Sequence, residues 1–187
     1  MVIYIHGFGG SGKGFKATQF KKHYRQKSID FLAPSLSYVP ALAISTLEEI
    51  IENYRDKEIK LIGSSLGGFY AIYLATKYNL KTVLINPSTN PLLTLQRITE
   101  ENSRGINFFD LSEFDFNSNH VNMLNRYYVK DIKKELFLVM LQKDDDVIDY
   151  QIAKELFDGS TMILKDGGGH GFEGIERDFE EIDSFLL

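Results

Sequence analysis

Cysteine is absent from the chain, so no disulfide framework, thiolate metal site or cysteine nucleophile can form; the absence fits a reducing compartment. Basic residues are short as well. The 21 Lys and Arg are outnumbered by 26 Asp and Glu, giving a net charge of -5, whereas a nucleic-acid surface needs clustered Lys and Arg. Nucleic acid is therefore not an expected partner. Long apolar runs are missing too: Met1 leads at once into Val2-Ile3-Tyr4-Ile5, far shorter than a signal peptide or membrane span requires. The expectation is a cytoplasmic protein with no membrane span. Neither an internal repeat, a low-complexity tract nor an interdomain linker is present. A length of 187 residues, 43% of them hydrophobic and 25% charged, leaves one domain with a substantial core, spanning residues 1–187.

Short β-rich runs alternate with segments of helical periodicity, the pattern of a mostly parallel sheet with helices on both faces. The strands are expected at Val2 to His6, Ile29 to Ala33, Ile59 to Gly63, Thr82 to Asn86, Leu136 to Gln142 and Thr161 to Lys165. Leu47, Ile50, Ile51 and Tyr54 follow helical spacing, as do Ile175, Phe179 and Ile182, so each set marks a core-facing helix stripe. Further helices are expected near Phe15 to Gln26 and Tyr150 to Phe157. One interval breaks the rhythm. From Pro87 to Asp131 no strand pattern appears, while Phe108, Phe109, Phe114, Phe116, Tyr127 and Tyr128 gather among Asn, Ser and Asp. The two readings of residues 87–131 are a lid or cap insertion lining an acyl pocket, and a pair of ordinary packing helices with a loop.

The chemistry-bearing pattern is Gly63-Ser64-Ser65-Leu66-Gly67, a G-x-S-x-G set between the apolar run Ile59-Lys60-Leu61-Ile62 and the helical stretch from Gly68. A serine held on a tight strand-to-helix turn needs glycines two before and two after it, where bulky side chains would clash. That requirement selects Ser65 over Ser64, whose corresponding neighbours are Ile62 and Leu66. A serine hydroxyl is a weak nucleophile without a base and a group to orient that base. His170, in Gly167-Gly168-Gly169-His170-Gly171-Phe172 after the last strand, is the candidate base. Asp144, Asp145, Asp146 and Asp149 follow the preceding strand and are the candidate acids, with Asp149 better suited to cap the next helix. The alternating ligands of a calcium loop are missing from this cluster. His6-Gly7-Phe8 ends the first strand, where a loop of this kind supplies a backbone donor to an oxyanion. The backbone N–H groups of Phe8 and Leu66 are the expected oxyanion hole, with His6 bracing the loop, and His23 and His120 are expected to be structural. No metal or cofactor is called for.

These features together resemble the α/β-hydrolase superfamily, and more narrowly the small bacterial YqiA-type esterases. The likeness rests on Tyr4-Ile5-His6-Gly7-Phe8, Gly63 to Gly68, Asn86-Pro87, Asp145-Asp146-Val147-Ile148-Asp149-Tyr150 and Gly167 to Phe172, and extends over nearly the whole chain. It implies the α/β-hydrolase fold with a helical lid, a Ser65, Asp145 and His170 triad, and hydrolysis of carboxylic esters or acyl-CoA thioesters as small-molecule substrates. In the relatives the aspartate directly before x-V is the acid, which ranks Asp145 ahead of Asp146. This chain departs from them in carrying Lys143-Asp144 where a glycine usually precedes the acid.

Two readings from other classes compete. Gly7 to Lys13, within Gly7-Phe8-Gly9-Gly10-Ser11-Gly12-Lys13-Gly14, nearly matches a phosphate-binding P-loop after a strand, but Gly14 replaces the hydroxyl residue that would hold magnesium. A hydrolase-like interaction protein with a degenerate site is the other, and it sits poorly with a nucleophile, a base and an acid all present.

Overall fold

The computed structural model describes residues 1–101 and 104–187, so residues 102 and 103 of the expected lid lie outside the described residues. Among these, eight strands occur: β1 (Val2–Ile5), β2 (Phe31–Leu32), β3 (Lys60–Ser64), β4 (Thr82–Ile85), β5 (Arg104–Ile106), β6 (Glu113–Asp115), β7 (Phe137–Gln142) and β8 (Thr161–Lys165). Six form one sheet in the order β2-β1-β3-β4-β7-β8, with every pair parallel. The helices are α1 (Phe15–Gln26), α2 (Pro40–Asn53), α3 (Leu66–Tyr78), α4 (Pro91–Glu101), α5 (Ser118–Leu124), α6 (Tyr150–Leu156) and α7 (Phe179–Leu186).

Strand alternation explains the layering. Ile3, Ile5, Leu61, Leu84, Val139 and Leu141 point into one buried cluster with residues of α2, α3 and α6. Their neighbours Val2, Tyr4, Ile62, Val83, Ile85, Leu138 and Met140 point the opposite way, into a second cluster with α1 and α7. Successive side chains of a strand face opposite sides, so a strand covered on both faces must be apolar almost throughout. The expected strand runs are continuous for this reason.

The order of the strands fixes where a site can form. The chain leaves β1 for β2 on one side and then crosses to β3 on the other, so β1 and β3 are neighbours whose following loops diverge. That is a topological switch point, the crevice where open α/β sheets gather ligands at their carboxyl ends. Ile5 pairs with Gly63 in register, which sets the loop after β1 beside the turn after β3.

Three expectations differ from what is observed. β2 covers only Phe31–Leu32, because it is an edge strand paired to β1 alone and Pro34 follows shortly after, unable to donate a ladder hydrogen bond. Tyr54 does not belong to the core stripe: α2 ends at Asn53 and Tyr54 is 39% exposed. The interval from Pro87 to Asp131 does contain strands. β5 and β6 pair antiparallel, Arg104 with Asp115 and Ile106 with Glu113, tied by a 2.6 Å ion pair between Arg104 and Glu113. Three residues per strand give no readable alternation, and of these six residues only Gly105 is buried.

The hairpin and α5 are seated by aromatic rings. Phe116 is fully buried, with its ring centroid 4.8 Å from that of Phe8 and 5.3 Å from that of His120. Phe114 lies 5.5 Å from Phe8 and stacks on Tyr38 at 4.7 Å. At the base of the hairpin tip, the Phe108 N–H donates to the Gly9 carbonyl at 2.8 Å. Replacing Phe116 by Ala is expected to cost about 3–5 kcal/mol, the range for emptying a buried aromatic site, seen as a lower urea midpoint in equilibrium unfolding.

Candidate active site

Ser65 occupies the step between β3 and α3 with φ 55° and ψ -125°, a left-handed conformation that a residue with a side chain holds only under constraint. The constraint is a set of hydrogen bonds. The Ser65 N–H donates to Ile85 O at 3.1 Å, while its carbonyl accepts from the N–H groups of Gly68 at 2.8 Å and Ser88 at 3.0 Å. Close packing completes it. A Cβ on Gly67 would sit 2.1 Å from the Ile5 carbonyl oxygen, and one on Gly63 would sit 2.6 Å from that of Gly67. The first turn of α3 can therefore lie against the end of β1 only because these positions lack side chains.

The loop after β8 brings His170 to the serine. His170 Nε2 lies 2.9 Å from Ser65 Oγ, and its Nδ1 lies 2.9 Å from Asp145 Oδ2. Asp145 is the one aspartate of its cluster in contact with this ring. Its Oδ1 also accepts from the Val147 and Ile148 N–H groups at 2.9 and 2.8 Å, and its side chain is only 2% exposed. Burial alone would raise the carboxyl pKa, but the hydrogen bonds from His170, Ile148 and Val147 outweigh it and hold Asp145 below the usual carboxylate range. Asp144 and Asp146 are exposed, and Asp149 caps α6 by accepting from the Gln151 N–H at 2.9 Å.

Two buried carboxamides hold the histidine loop. Asn86, 2% exposed and at φ 40°, donates from Nδ2 to the carbonyls of Gly169 at 3.0 Å and His170 at 3.3 Å. Its Oδ1 accepts from the Gln142 N–H at 2.9 Å. Gln142 then closes the circuit: Oε1 accepts from the N–H groups of Gly169 at 3.1 Å and Glu173 at 2.8 Å, and Nε2 donates to the Glu173 carbonyl at 2.8 Å. A Cβ on Gly168, at φ 76°, would meet Gln142 Oε1 at 2.0 Å. Gln142 escapes sequence reasoning, which takes it only as the end of a strand; a polar side chain closing an otherwise apolar run is the one available signal.

Gly7 packs on the serine, since a Cβ there would sit 2.9 Å from Ser65 Cβ. Among the described residues, neither the Phe8 nor the Leu66 N–H has a protein hydrogen-bond partner. His6 braces this loop. Its Nδ1 donates to the Gly7 carbonyl at 2.8 Å and its Nε2 accepts from the Leu36 N–H at 2.9 Å, an arrangement open only to the neutral ring. Burial pushes its pKa down, against the pull of the Gly7 carbonyl.

The other histidines lie elsewhere: His23 contacts Asp183 at 2.8 Å, and His120 completes the capping box of α5 with Asn117. The Gly7 to Lys13 segment forms the turn into α1, with Lys13 Nζ 5.4 Å from the centre of the Phe109 ring. Among the described residues, no three His, Asp or Glu side chains converge as a metal site requires, and no helix is long and apolar enough to cross a membrane.

Two cavities flank the serine turn. A cleft of about 320 Å³ is lined by Ser65, His170, Gly171, Phe15, Lys16 and Phe108, among others. A smaller cavity of about 70 Å³ lies against Phe8, Leu66, Tyr38, Tyr70 and Phe114.

The whole chain, residues 1–187, matches the family described as "Uncharacterised protein family (UPF0227)". A UPF0227 protein of Vibrio cholerae is 24% identical over 189 residues, covering 99% of this chain and 98% of its own. Among solved structures, Est1E from Butyrivibrio proteoclasticus with ferulic acid bound superposes with a TM-score of 0.76 at 13% identity, covering 100% of this chain and 87% of that one. The mouse alpha/beta hydrolase domain-containing protein 10 gives a TM-score of 0.75 at 15% identity, covering 98% and 88%. At such identities the likeness establishes the α/β-hydrolase fold.

Replacing Gln142 by Leu keeps the bulk and removes the three hydrogen bonds its side chain makes to the histidine loop, leaving those of Asn86 in place. The variant is expected to fold, by circular dichroism, yet to react with a fluorophosphonate at Ser65 about 10²-fold more slowly, the scale of a small misplacement of reacting groups. Because the folded-state pKa of His6 is depressed below 6.5, the stability carried by its neutral ring is present above that pH. It is lost as the pH falls through the folded value. Urea midpoints measured against pH should decline over that window in the wild type, and the decline should be smaller in His6→Gln.

Proposed function

The chain belongs to the UPF0227 family, and we propose that it is a serine hydrolase of carboxylic esters, with acyl-CoA thioesters as a related substrate class. The observation that carries this reading is the unbroken hydrogen-bonded line from Asp145 through His170 to Ser65. Est1E, of the same fold, holds ferulic acid, which is consistent with an acyl substrate here.

In the proposed reaction, His170 Nε2 takes the Ser65 proton as Oγ attacks the ester carbonyl, and Asp145 holds the ring with Nδ1–H toward its carboxylate. The oxyanion that forms is held by the N–H groups of Phe8 and Leu66, donors without protein partners among the described residues, so no hydrogen bond within the protein must break when charge develops. Collapse forms the acyl-enzyme, breaks the bond to the leaving alcohol and delivers the proton from His170 to that oxygen. Water then attacks, with His170 as base, and its proton restores the Ser65 hydroxyl. Residues 87–131 act as the cap: Phe114 closes the smaller cavity, whose size suits short acyl groups.

Ser65→Ala is expected to abolish fluorophosphonate labelling and to lower turnover of para-nitrophenyl acetate by about 10⁶-fold, the scale of nucleophile loss in serine hydrolases. Asp145→Asn should lower it by about 10⁴-fold, and octanoyl esters should be poorer substrates than acetyl esters. Full activity in Ser65→Ala would overturn the reading.

A further inference from the structure

Lys16 is the feature of the cleft that the acyl-transfer chemistry leaves unused. It stands in the first turn of α1, where the helix dipole disfavours a cation, and it is only partly exposed. Its Nζ donates to the Gly171 carbonyl at 2.6 Å, and it lines the same cleft as Ser65 and His170. An ammonium has three donors, and among the described residues this one has no other hydrogen bond and no carboxylate partner. Burial lowers its pKa to about 8, and the carboxylate that opposes this is Asp145, whose oxygens are already engaged by His170, Val147 and Ile148. Lys16 thus puts a positive charge on the wall of the cleft that holds Ser65 and His170, where an anionic group on a bound ligand would meet a charge-assisted donor.

The position of Lys16 says which part of the substrate carries that anion. Lys16 is bound to the residue next to His170, and in the proposed reaction His170 hands its proton to the leaving oxygen. The smaller cavity beside Leu66 and Phe8, which does not include Lys16, is left for the acyl group. One ammonium with two remaining donors suits a carboxylate. A phosphate dianion would call for a second cation, and Lys13 is turned instead toward the Phe109 ring. Phe15 and Phe108, both largely exposed at the cleft, offer apolar walls for the part of the leaving group between the ester oxygen and the anion.

We propose that Lys16 is a specificity residue that binds a carboxylate carried by the leaving alcohol, so that the natural substrates are acyl esters of hydroxycarboxylic acids. This rests on the ester-hydrolase reading above.

The test pairs meta-acetoxybenzoate with meta-acetoxybenzamide, esters of nearly equal shape that differ in charge on the leaving group. Wild-type enzyme is expected to favour the carboxylate in kcat/KM by about tenfold or more, the scale of a hydrogen bond to a charged group. Lys16→Gln should erase that ratio and Lys16→Arg should keep most of it. A readout independent of turnover is protection of Ser65 from fluorophosphonate. The product meta-hydroxybenzoate should protect and meta-hydroxybenzamide should not, and the difference should vanish in Lys16→Gln. Equal kcat/KM for the two esters in the wild type overturns the proposal. So does a Lys16→Gln variant that slows both by the same factor, since the lysine would then merely tether the histidine loop. Neither outcome touches the hydrolase reading, which falls instead if no ester is turned over and Ser65 resists labelling.

Discussion

The strained backbone at Ser65 is the constraint around which the molecule is arranged. Holding a side-chain-bearing residue at φ 55° costs on the order of 1–3 kcal/mol, and the surroundings that enforce it come from four separate parts of the chain. β4 accepts the serine N–H through Ile85, the segment after β4 donates to its carbonyl through Ser88, α3 donates through Gly68, and the end of β1 presses on Gly67. The Gly68 contact is local, but those of Ile85, Ser88 and the end of β1 depend on the parallel order of β1, β3 and β4. The placement of the Ser65 hydroxyl is in this sense a product of tertiary structure, although five consecutive residues announce the turn.

The histidine is held by a different principle. His170 sits on a glycine-rich loop that Phe172, 1% exposed, anchors in the core at one end only, and the glycine stretch before it needs its backbone groups tied down as well. Asn86 and Gln142 tie them down from the ends of adjacent strands, β4 and β7, and they bond to each other as well. Buried amides in a satisfied network are rigid, while a half-satisfied one would be costly. The two carboxamides thereby tie the glycine stretch of the loop to the sheet, and Asp145 contacts the ring from the turn that follows the same strand as Gln142.

Much of this was legible in the sequence because the signals were periodic or steric. Strands buried on two faces gave continuous apolar runs, the glycine spacing around Ser65 reported a crowded turn, and Asp149 before Tyr150 read as a helix cap and is one. The acid was harder. Asp144, Asp145 and Asp146 are consecutive, and which of them faces the histidine depends on the turn after β7, where the Asp145 N–H bonds back to the Gln142 carbonyl at 3.3 Å; spacing alone does not encode that rotation. The hairpin β5–β6 was illegible for a related reason: strands so short bury too few side chains to leave a pattern, and their stability comes from rings on Phe8 and Tyr38, far away in sequence. Gln142 was hidden because its value lies wholly in partners that the fold delivers.

Phe8 has its ring in the aromatic seat of the hairpin and α5, against Phe114 and Phe116, and its backbone in the loop that Gly7 packs on Ser65. Ring and amide belong to one residue and are a few bonds apart. A shift of the insertion that the ring cannot follow by turning about its own two side-chain bonds is passed to the loop that carries the amide. The short hairpin, paired outside the main sheet, thus shares one residue with the loop packed on the serine turn, where the order of the sheet is tightest.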